Sequence, residues 1–387
     1  MKNMVPLQLK KLRVALVHDF LREYGGAERV LEEFYTIFPH ADIYTSVVYP
    51  DKLKVHWYRM HSWNVRESWF GKMPFVRDYP SLFRFLAPYI WESLDLSSYD
   101  IVLSSSGWFM CKGVITRADT LHVSYIHHQN KFLTYYETPD DWQRNMLKRV
   151  YAGIVGPCLR TWDFIGGQRP DILVANSHET KRRIEKYYRR DAHVIYPPVT
   201  DPKVNLAEKL KSTSDYYINV NRLAKPKHVE ILIQAANMLG ITLYVVGQGK
   251  EYGYLRSIAG KSVHMVGEVS DLELGNLLFG AKGFLFASVD EDFGIAPVEA
   301  LMYGVPVIAY KSGGLKETVN HGVNGYLVDE LSPSAFATAI RHFEKSNWET
   351  LSKQAHKGAV VFSALEFRSN IVHLLTEQLR SYSNARI

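Results

Sequence analysis

The sequence predicts two consecutive α/β domains, each built on an open, doubly wound parallel sheet. Three observations carry that expectation. Short runs of consecutive apolar residues alternate with helical patterns along the chain, and strands buried on both faces read as such runs. Several runs end in small or polar residues, where open α/β sheets place their ligands. A polar stretch from Pro197-Pro198 to about Ser214 interrupts the alternation, which then restarts. The 387 residues accommodate two or three domains. We divide them at residues 1–200 and 201–363, with a final segment at 364–387.

Leu12–Val17 (LRVALV) is the first predicted strand. His18–Gly26 is a loop closing on Gly25-Gly26, and Ala27–Phe38 has helical spacing, with Val30, Leu31, Phe34 and Phe38 on one face. Strand, glycine loop and helix in that order open a doubly wound fold. Ile101–Ser105, Leu121–Ile126 and Ile172–Asn176 are further strands. Ser104-Ser105-Ser106, His127-His128 and Asn176-Ser177 at their ends point at one crevice. After the linker, strands are predicted at Tyr216–Val220, Leu243–Val246, Val263–Val266, Gly283–Ala287 and Val305–Ala309. A helix is predicted at Val229–Leu239. The sequence contains neither an internal repeat nor a low-complexity segment.

Composition narrows the function classes. At 47 % hydrophobic and 22 % charged residues, the chain has the makings of a core and not of a disordered segment. Cys111 and Cys158 make neither a disulfide framework nor a metal cluster, which suits a reducing compartment. The first twenty residues read as a strand entry and not as a leader, and no run of 18 apolar residues occurs. A cytoplasmic protein is expected. The net charge of +6 favours an anionic partner.

The segment Glu291–Glu299 (EDFGIAPVE) follows a predicted strand and enters a predicted helix at Pro297–Met302. Gly294 and the residues after it would place backbone N–H groups at a helix N-terminus, which favours an anion. The carboxylates of Glu291 and Glu299 could accept hydrogen bonds from sugar and ribose hydroxyls. By spacing alone, solvated helix charges fit as well. Arg222 and Lys227 lie just past the strand YYINV. They could neutralise a leaving diphosphate without a metal, or form an exposed basic loop. Gly25-Gly26 could admit a phosphate or an acceptor to the backbone, or simply turn the chain. His127 follows the strand LHVSYI, where a lone histidine is more often structural, and His128 competes with it.

The segment EDFGIAPVEALMYGVPVIAYKSGGLKETVNHGVNGYLV resembles the donor-site signature of retaining glycosyltransferases of family 4, including its Glu-x7-Glu element. NRLAKPKH resembles that family's Gly-Arg-Leu-x3-Lys stretch, with Asn221 in place of the usual glycine. Over most of the chain, HDFLREYGGAERVLEEFYTIFPHADIYT, VANSHETKRRIEKYYRRDAHVIYPPV and intervening stretches look like bacterial mannosyltransferases of O-antigen and polysaccharide assembly.

The resemblance implies a GT-B fold: two Rossmann-like domains facing a cleft, with the acceptor mainly on the first and the nucleotide-sugar donor mainly on the second. The last helix, about Ala364–Leu379, would return to the first domain. By the same resemblance Glu291 contacts the transferred sugar and Glu299 the ribose. Phe293 lies within the motif, and Gly294 and Ile295 offer amides to sugar or phosphate. Arg222 and Lys227 bind the diphosphate. The tyrosine-x-histidine pattern selects His127, facing the sugar, over His128. VHMVGEVSDLEL resembles the loop against the nucleotide base, with backbone near Gly267 and Val269 reading its edge. Gly247, at the end of its strand, joins the donor set. The relatives read His-Thr-Pro-x-Arg where this chain has His127-His-Gln-Asn-Lys131, which leaves the sugar open.

The expected activity is retaining transfer of a hexose, mannose from GDP-mannose before any UDP-sugar, to a glycan or polyprenyl-diphosphate-linked saccharide. No cofactor or metal is expected, since the sequence holds no Asp-x-Asp, His-x3-His or cysteine cluster. Asp140-Asp141 reads as a helix N-cap. The basic run Lys181–Arg190, with the aromatic and basic stretch Trp142–Trp162, is a candidate surface for anionic lipid at the inner face of a membrane, or a solvated helix face. A sugar phosphorylase or nucleotide-sugar epimerase on the same scaffold, or a nucleotide or nucleic-acid binder, are the rivals. No nucleic-acid-binding motif supports the last.

Overall fold

The computed structural model describes Pro6, Leu9 and residues 11–53, 55–138 and 145–384. Asp140-Asp141 lies outside the described residues. The chain divides into two compact units: Met1–Tyr136 with Asp140–Pro198 and Ala364–Ile387, and Glu137–Pro139 with Val199–Ser363.

The first unit holds a seven-stranded, all-parallel sheet in the order β3-β2-β1-β4-β5-β6-β7. Its strands are β1 Val14–His18, β2 Asp42–Thr45, β3 Asn64–Glu67, β4 Ile101–Ser106, β5 Leu121–Ile126, β6 Ile172–Ala175 and β7 His193–Val194. β1, β4, β5 and β6 are buried along their whole length, as unbroken apolar runs imply. β2 and β3 escape the sequence reading. β3 (NVRE) alternates exposed and half-buried residues at the sheet edge and has no apolar run to read.

Helix α1 (Gly26–Ile37) buries Val30, Leu31, Phe34 and Ile37. The Phe34 ring meets Tyr125 of β5 at 6.1 Å and Phe367 at 5.7 Å. Phe367 belongs to the C-terminal helix Ala364–Asn384, whose Phe367, Ile371, Val372 and Leu375 join the first unit's core. An Arg368–Glu33 ion pair of 2.7 Å closes that contact. Burying four such side chains contributes about 1.5–3 kcal/mol each, so the chain's last helix is a structural part of its first unit.

A 23-residue helix, α2 (Met146–Gln168), runs through Gly153, Gly156, Pro157, Gly166 and Gly167. The Cβ that Gly166 lacks would lie 3.2 Å from the Gly113 Cα, and that of Gly167 2.8 Å from the Tyr188 ring. Those two glycines let the helix approach its neighbours. A buried ion pair, Lys112–Asp163, fastens it further, and the Tyr188 hydroxyl donates to the same carboxylate at 3.1 Å.

Helix α3 (His178–Tyr188) contains most of the basic run, and Arg189 ends it at φ 56°. Four of the six cations are engaged at home. Arg182 and Arg183 pair with Glu179, and Lys181 pairs with Asp191. Arg190 donates to the carbonyls of Gly167, Pro170 and Asp171. Arg183 is buried, with its guanidinium over the Tyr136 ring. Charge that sequence offers to lipid is largely spent inside the unit.

The second unit holds a six-stranded parallel sheet in the order β10-β9-β8-β11-β12-β13. Its strands are β8 Tyr217–Val220, β9 Leu243–Val246, β10 Val263–Gly267, β11 Gly283–Phe286, β12 Val307–Tyr310 and β13 Gly325–Val328. Helix α4 (Val229–Leu239) matches its predicted span, and α5 (Ile295–Met302) begins two residues before the predicted Pro297. In both sheets the strand order reverses direction once, between β1 and β4 and between β8 and β11. Such a switch point opens a crevice at the carboxyl ends of the strands.

Candidate active site

The second unit's switch point gathers the chain segments that follow β8 and β11. Lys227, seven residues past β8, reaches Glu291, five past β11, at 2.6 Å. Ser288 donates to the same Glu291 oxygen at 2.7 Å. The backbone holds the two loops together, with Val289 N–H donating to the Pro226 carbonyl at 3.0 Å. Sequence spacing nominates Lys227 and Glu291 separately, for diphosphate and sugar. The structure brings them together as an ion pair whose side chains are about one-fifth to one-quarter exposed.

A tight turn braces Glu291 from behind. Gly314 N–H donates to the Glu291 carbonyl at 2.9 Å, and Ser312 Oγ accepts from Asp290 N–H at 2.9 Å. Gly313 has φ 55°, and a Cβ there would lie 2.0 Å from the Glu291 carbonyl oxygen. No side chain fits, so the Ser312-Gly313-Gly314 turn is obligatory to the position of Glu291. Gly294, at φ 90°, caps α5 and turns the amides of Gly294, Ile295 and Ala296 to the helix N-terminus. Glu299 lies half-buried within α5. Burial first, then the Glu299 carboxylate, pushes the Tyr303 phenol up. The Phe293 side chain is a correction to the sequence reading. It is 2 % exposed and packs on Phe362 at 5.4 Å, so it is core and leaves only its backbone to the site.

Gly247 closes the β9 end at φ 127°, and its N–H donates to the Gly267 carbonyl at 2.7 Å. A Cβ on Gly247 would lie 1.9 Å from the Asn221 carbonyl oxygen. That contact presses the β9 loop onto the loop carrying Arg222, whose side chain is exposed. Gly267 has φ 83° and ends β10, and Val269 is half-buried just before the Ser270 cap of the next helix.

In the first unit, His18 of β1 lies directly across from Ser105 of β4 at the switch point. A buried chain of hydrogen bonds crosses it. His127 Nε2 meets Ser105 Oγ at 2.7 Å, Ser105 Oγ meets His18 Nδ1 at 3.0 Å, and His18 Nε2 faces Glu28 Oε1 at 3.5 Å. The other Glu28 oxygen accepts from Gly25 N–H at 2.9 Å.

Ser105 Oγ bridges the two rings, donating to one of His18 Nδ1 and His127 Nε2 and accepting from the other, so the two tautomers are coupled. Burial, and then the neighbouring His18 and His128, hold His127 well below the usual histidine range, so the ring is neutral. The backbone is fixed as well, with Asn176 Nδ2 donating to the His127 carbonyl at 2.8 Å. His128 Nδ1 instead meets the Gln129 carbonyl at 2.8 Å.

The glycine loop differs from its sequence reading. Gly25 N–H is taken by Glu28, a carboxylate of the chain itself that is 4 % exposed at the α1 N-terminus. The amide expected to meet a phosphate is therefore satisfied internally, and Gly26 is already the first residue of α1. Ser105 is among the strand-end residues that sequence aims at the crevice, whereas Glu28 and His18 escape that reading, although a glutamate three positions after a helix-start glycine is a capping signal. Asp19 escapes it too. It is 5 % exposed and accepts from the N–H groups of Gly107, Phe109 and Cys111 at 2.7–2.9 Å, shaping the loop after β4.

Comparison with known proteins agrees with this architecture. Residues 24–201 match the family "Glycosyltransferase Family 4" and residues 203–359 match "Glycosyl transferases group 1". D-rhamnosyltransferase WbpZ of Pseudomonas aeruginosa is 27 % identical over 58 % of this chain and 60 % of its own length. Human alpha-1,3/1,6-mannosyltransferase ALG2 is 28 % identical over 56 % of this chain and 59 % of its own. The chain thus spans about three-fifths of the length of these relatives. Anabaena HepE, solved in complex with UDP-glucose, has the same fold. Its TM-score is 0.64 at 20 % identity, over 95 % of this chain and 100 % of that one.

Two Rossmann-like units in this order define a GT-B protein. The chain belongs to the group 1 and family 4 glycosyltransferases.

Proposed function

We propose that the protein transfers a sugar from a nucleotide-sugar donor to a saccharide acceptor with retention of configuration and without a metal. The observation that carries the reading is the Lys227–Glu291–Ser288 cluster beside the amide-lined N-terminus of α5. As the glycosidic C–O bond breaks, negative charge grows on the diphosphate. Arg222, Lys227 and the amides of Gly294 and Ile295 stabilise it there, which is the work a metal would otherwise do. Glu291 holds the sugar and Glu299 the ribose. The neutral His127 orients a sugar hydroxyl through Nδ1, the ring nitrogen that Ser105 does not engage. Backbone near Gly247, Gly267 and Val269 meets the nucleoside. The leaving phosphate takes the acceptor proton on the face it departs from, and no protein nucleophile is assigned. An inverted anomeric product in a proton NMR assay would overturn that course.

Mannose from GDP-mannose is the donor we favour. One relative is a mannosyltransferase and another a D-rhamnosyltransferase, and D-rhamnose is 6-deoxymannose, so both sugars share one ring configuration. A UDP-sugar is the second reading, because HepE was solved with UDP-glucose. A thermal-shift screen over nucleotide sugars decides between them. Stabilisation by GDP-mannose is expected, and a shift with UDP-sugars alone would overturn the donor. Product formed without acceptor would favour an epimerase. The acceptor we infer is a lipid-linked saccharide met at an anionic membrane surface on the cytoplasmic side. Among the described residues no helix is long and apolar enough to cross a membrane, so such a meeting would be peripheral.

A further inference from the structure

Helix α2 carries a surface that the transfer chemistry does not use. Met146, Leu147, Val150 and Ile154 stand outward on it at 79, 81, 53 and 70 % exposure. At 100° per residue these four fall within an arc of about 100°. Pro157, Cys158, Thr161, Phe164 and Ile165 continue the stripe, all exposed and none charged. An exposed apolar stripe of this length on one helix marks a site of contact with something apolar.

The flank beside the stripe is built differently. Arg149, Gly153, Gly156 and Arg160 share an arc of about 60° and border a cavity of about 280 Å³, closed on the far side by Phe132, Leu133 and Tyr135. Glycine inside a helix is destabilising and calls for a reason. For Gly166 and Gly167 the reason is a close neighbour. A Cβ on Gly153 would meet nothing within 4 Å, and one on Gly156 would meet only the Arg160 side chain. These two glycines keep open the space between two arginines. Neither Arg149 nor Arg160 has a carboxylate partner among the described residues, and Arg160 lies over the Tyr135 ring at 5.9 Å. Tyr135 is held at φ 62°, a conformation tyrosine rarely adopts.

We propose that this flank of α2 binds the phosphate head of a lipid whose apolar chain lies along the Met146–Ile154 stripe. Arginine forks suit phosphate oxygens. A cationic flank beside an apolar face is the pattern of a helix lying in a membrane interface. The assignment rests on the lipid-linked acceptor proposed above and is independent of the donor. Of the two stretches the sequence nominates for lipid, it keeps the one on α2 and sets aside the run on α3, whose Lys181, Arg182 and Arg183 are paired.

The test is flotation of the full chain with vesicles of phosphatidylcholine alone, or with about 20 mol % of a polyprenyl phosphate or phosphatidic acid. Binding is expected only to the phosphate-bearing vesicles. The double substitution Arg149→Gln/Arg160→Gln should weaken it about 30-fold, roughly fivefold per charge. Leu147→Gln/Ile154→Gln should weaken it about tenfold. Both variants should keep the wild-type melting temperature and its shift with nucleotide sugars, which separates failure here from failure of the donor reading. A fluorophore on the exposed Cys158, the other thiol being buried, should shift to the blue on binding. Equal binding to neutral vesicles would overturn the phosphate site. Inorganic diphosphate binding as tightly as vesicles, unaffected by the stripe substitutions, would overturn the lipid.

Discussion

The two switch points share a topology and differ in electrostatics. In the second unit the crevice is charged: a lysine and a glutamate at 2.6 Å, a serine on the same carboxylate, and a helix N-terminus alongside. In the first unit the residues at the strand ends are neutral or satisfied. The half-buried His127 is locked by Ser105, and the carboxylates nearby, Glu28 and Asp19, accept from the chain's own amides. A doubly wound sheet fixes where a site lies and says nothing of its charge. On the function proposed above, the charged unit would take the diphosphate and the other would orient hydroxyls.

The charged half should show the largest effect. Lys227→Met and Glu291→Gln are each expected to lower kcat about 10³-fold, roughly 4 kcal/mol of transition-state stabilisation, read as sugar released to acceptor under saturating donor. If each loses less than tenfold, the charged cluster is a structural brace. The double variant sharpens this, since two residues acting as a unit lose little more together than singly.

Removing the anchor of the neutral half should cost less. Ser105→Ala frees His127 to exchange tautomers, and we expect kcat to fall tens-fold with KM nearly unchanged. Nitrogen-15 shifts of the His127 ring should report a single tautomer in the native protein and a mixture in the variant. An unchanged pattern would remove Ser105 from that role.

A smaller effect follows from histidines buried without charge in the first unit. His122 is fully buried against Ser104 Oγ at 2.9 Å, and burial first, then Arg190 and Arg169, push it down to about 3. An unfolded histidine titrates near 6.5, so between those values the unfolded chain binds the extra proton. The stability His122 contributes is therefore complete above about pH 6.5 and is lost as pH falls toward 3. At pH 5 that loss is about 2 kcal/mol. The gap between melting curves at pH 5 and 7.5 should narrow in His122→Asn, with the share of His127 remaining. The same gap in both proteins would place the acid sensitivity elsewhere.

The smallest expected effect is that of a chelator. EDTA should leave turnover unchanged, since cationic side chains and amides are assigned the diphosphate. Loss of activity restored by a divalent ion would overturn that assignment.

Much of the fold was legible in the sequence for a local reason. A parallel strand buried on both faces is a run of apolar residues, so β1, β4, β5, β9 and β11 announce themselves within a residue or two. The edge strand β3 lacks such a run, and α2 carries interruptions in Gly153, Gly156, Pro157, Gly166 and Gly167 that local pattern does not resolve into a helix. Of the candidate site, Glu291, Lys227 and His127 are residues that sequence nominates. Their pairings are not legible there, because no spacing joins Lys227 to Glu291 across 64 positions or His18 to Ser105 across 87.

By itself the sequence determined the alternation of strand and helix and the glycine turns. These depend on neighbours along the chain. Only the tertiary structure decided that Glu28 takes the Gly25 amide at the α1 N-terminus, that Phe293 is core, that Lys181, Arg182 and Arg183 of α3 are paired, and that α2 stays helical through its glycines. Those outcomes depend on groups far apart in sequence, whose distance is set when the sheets assemble.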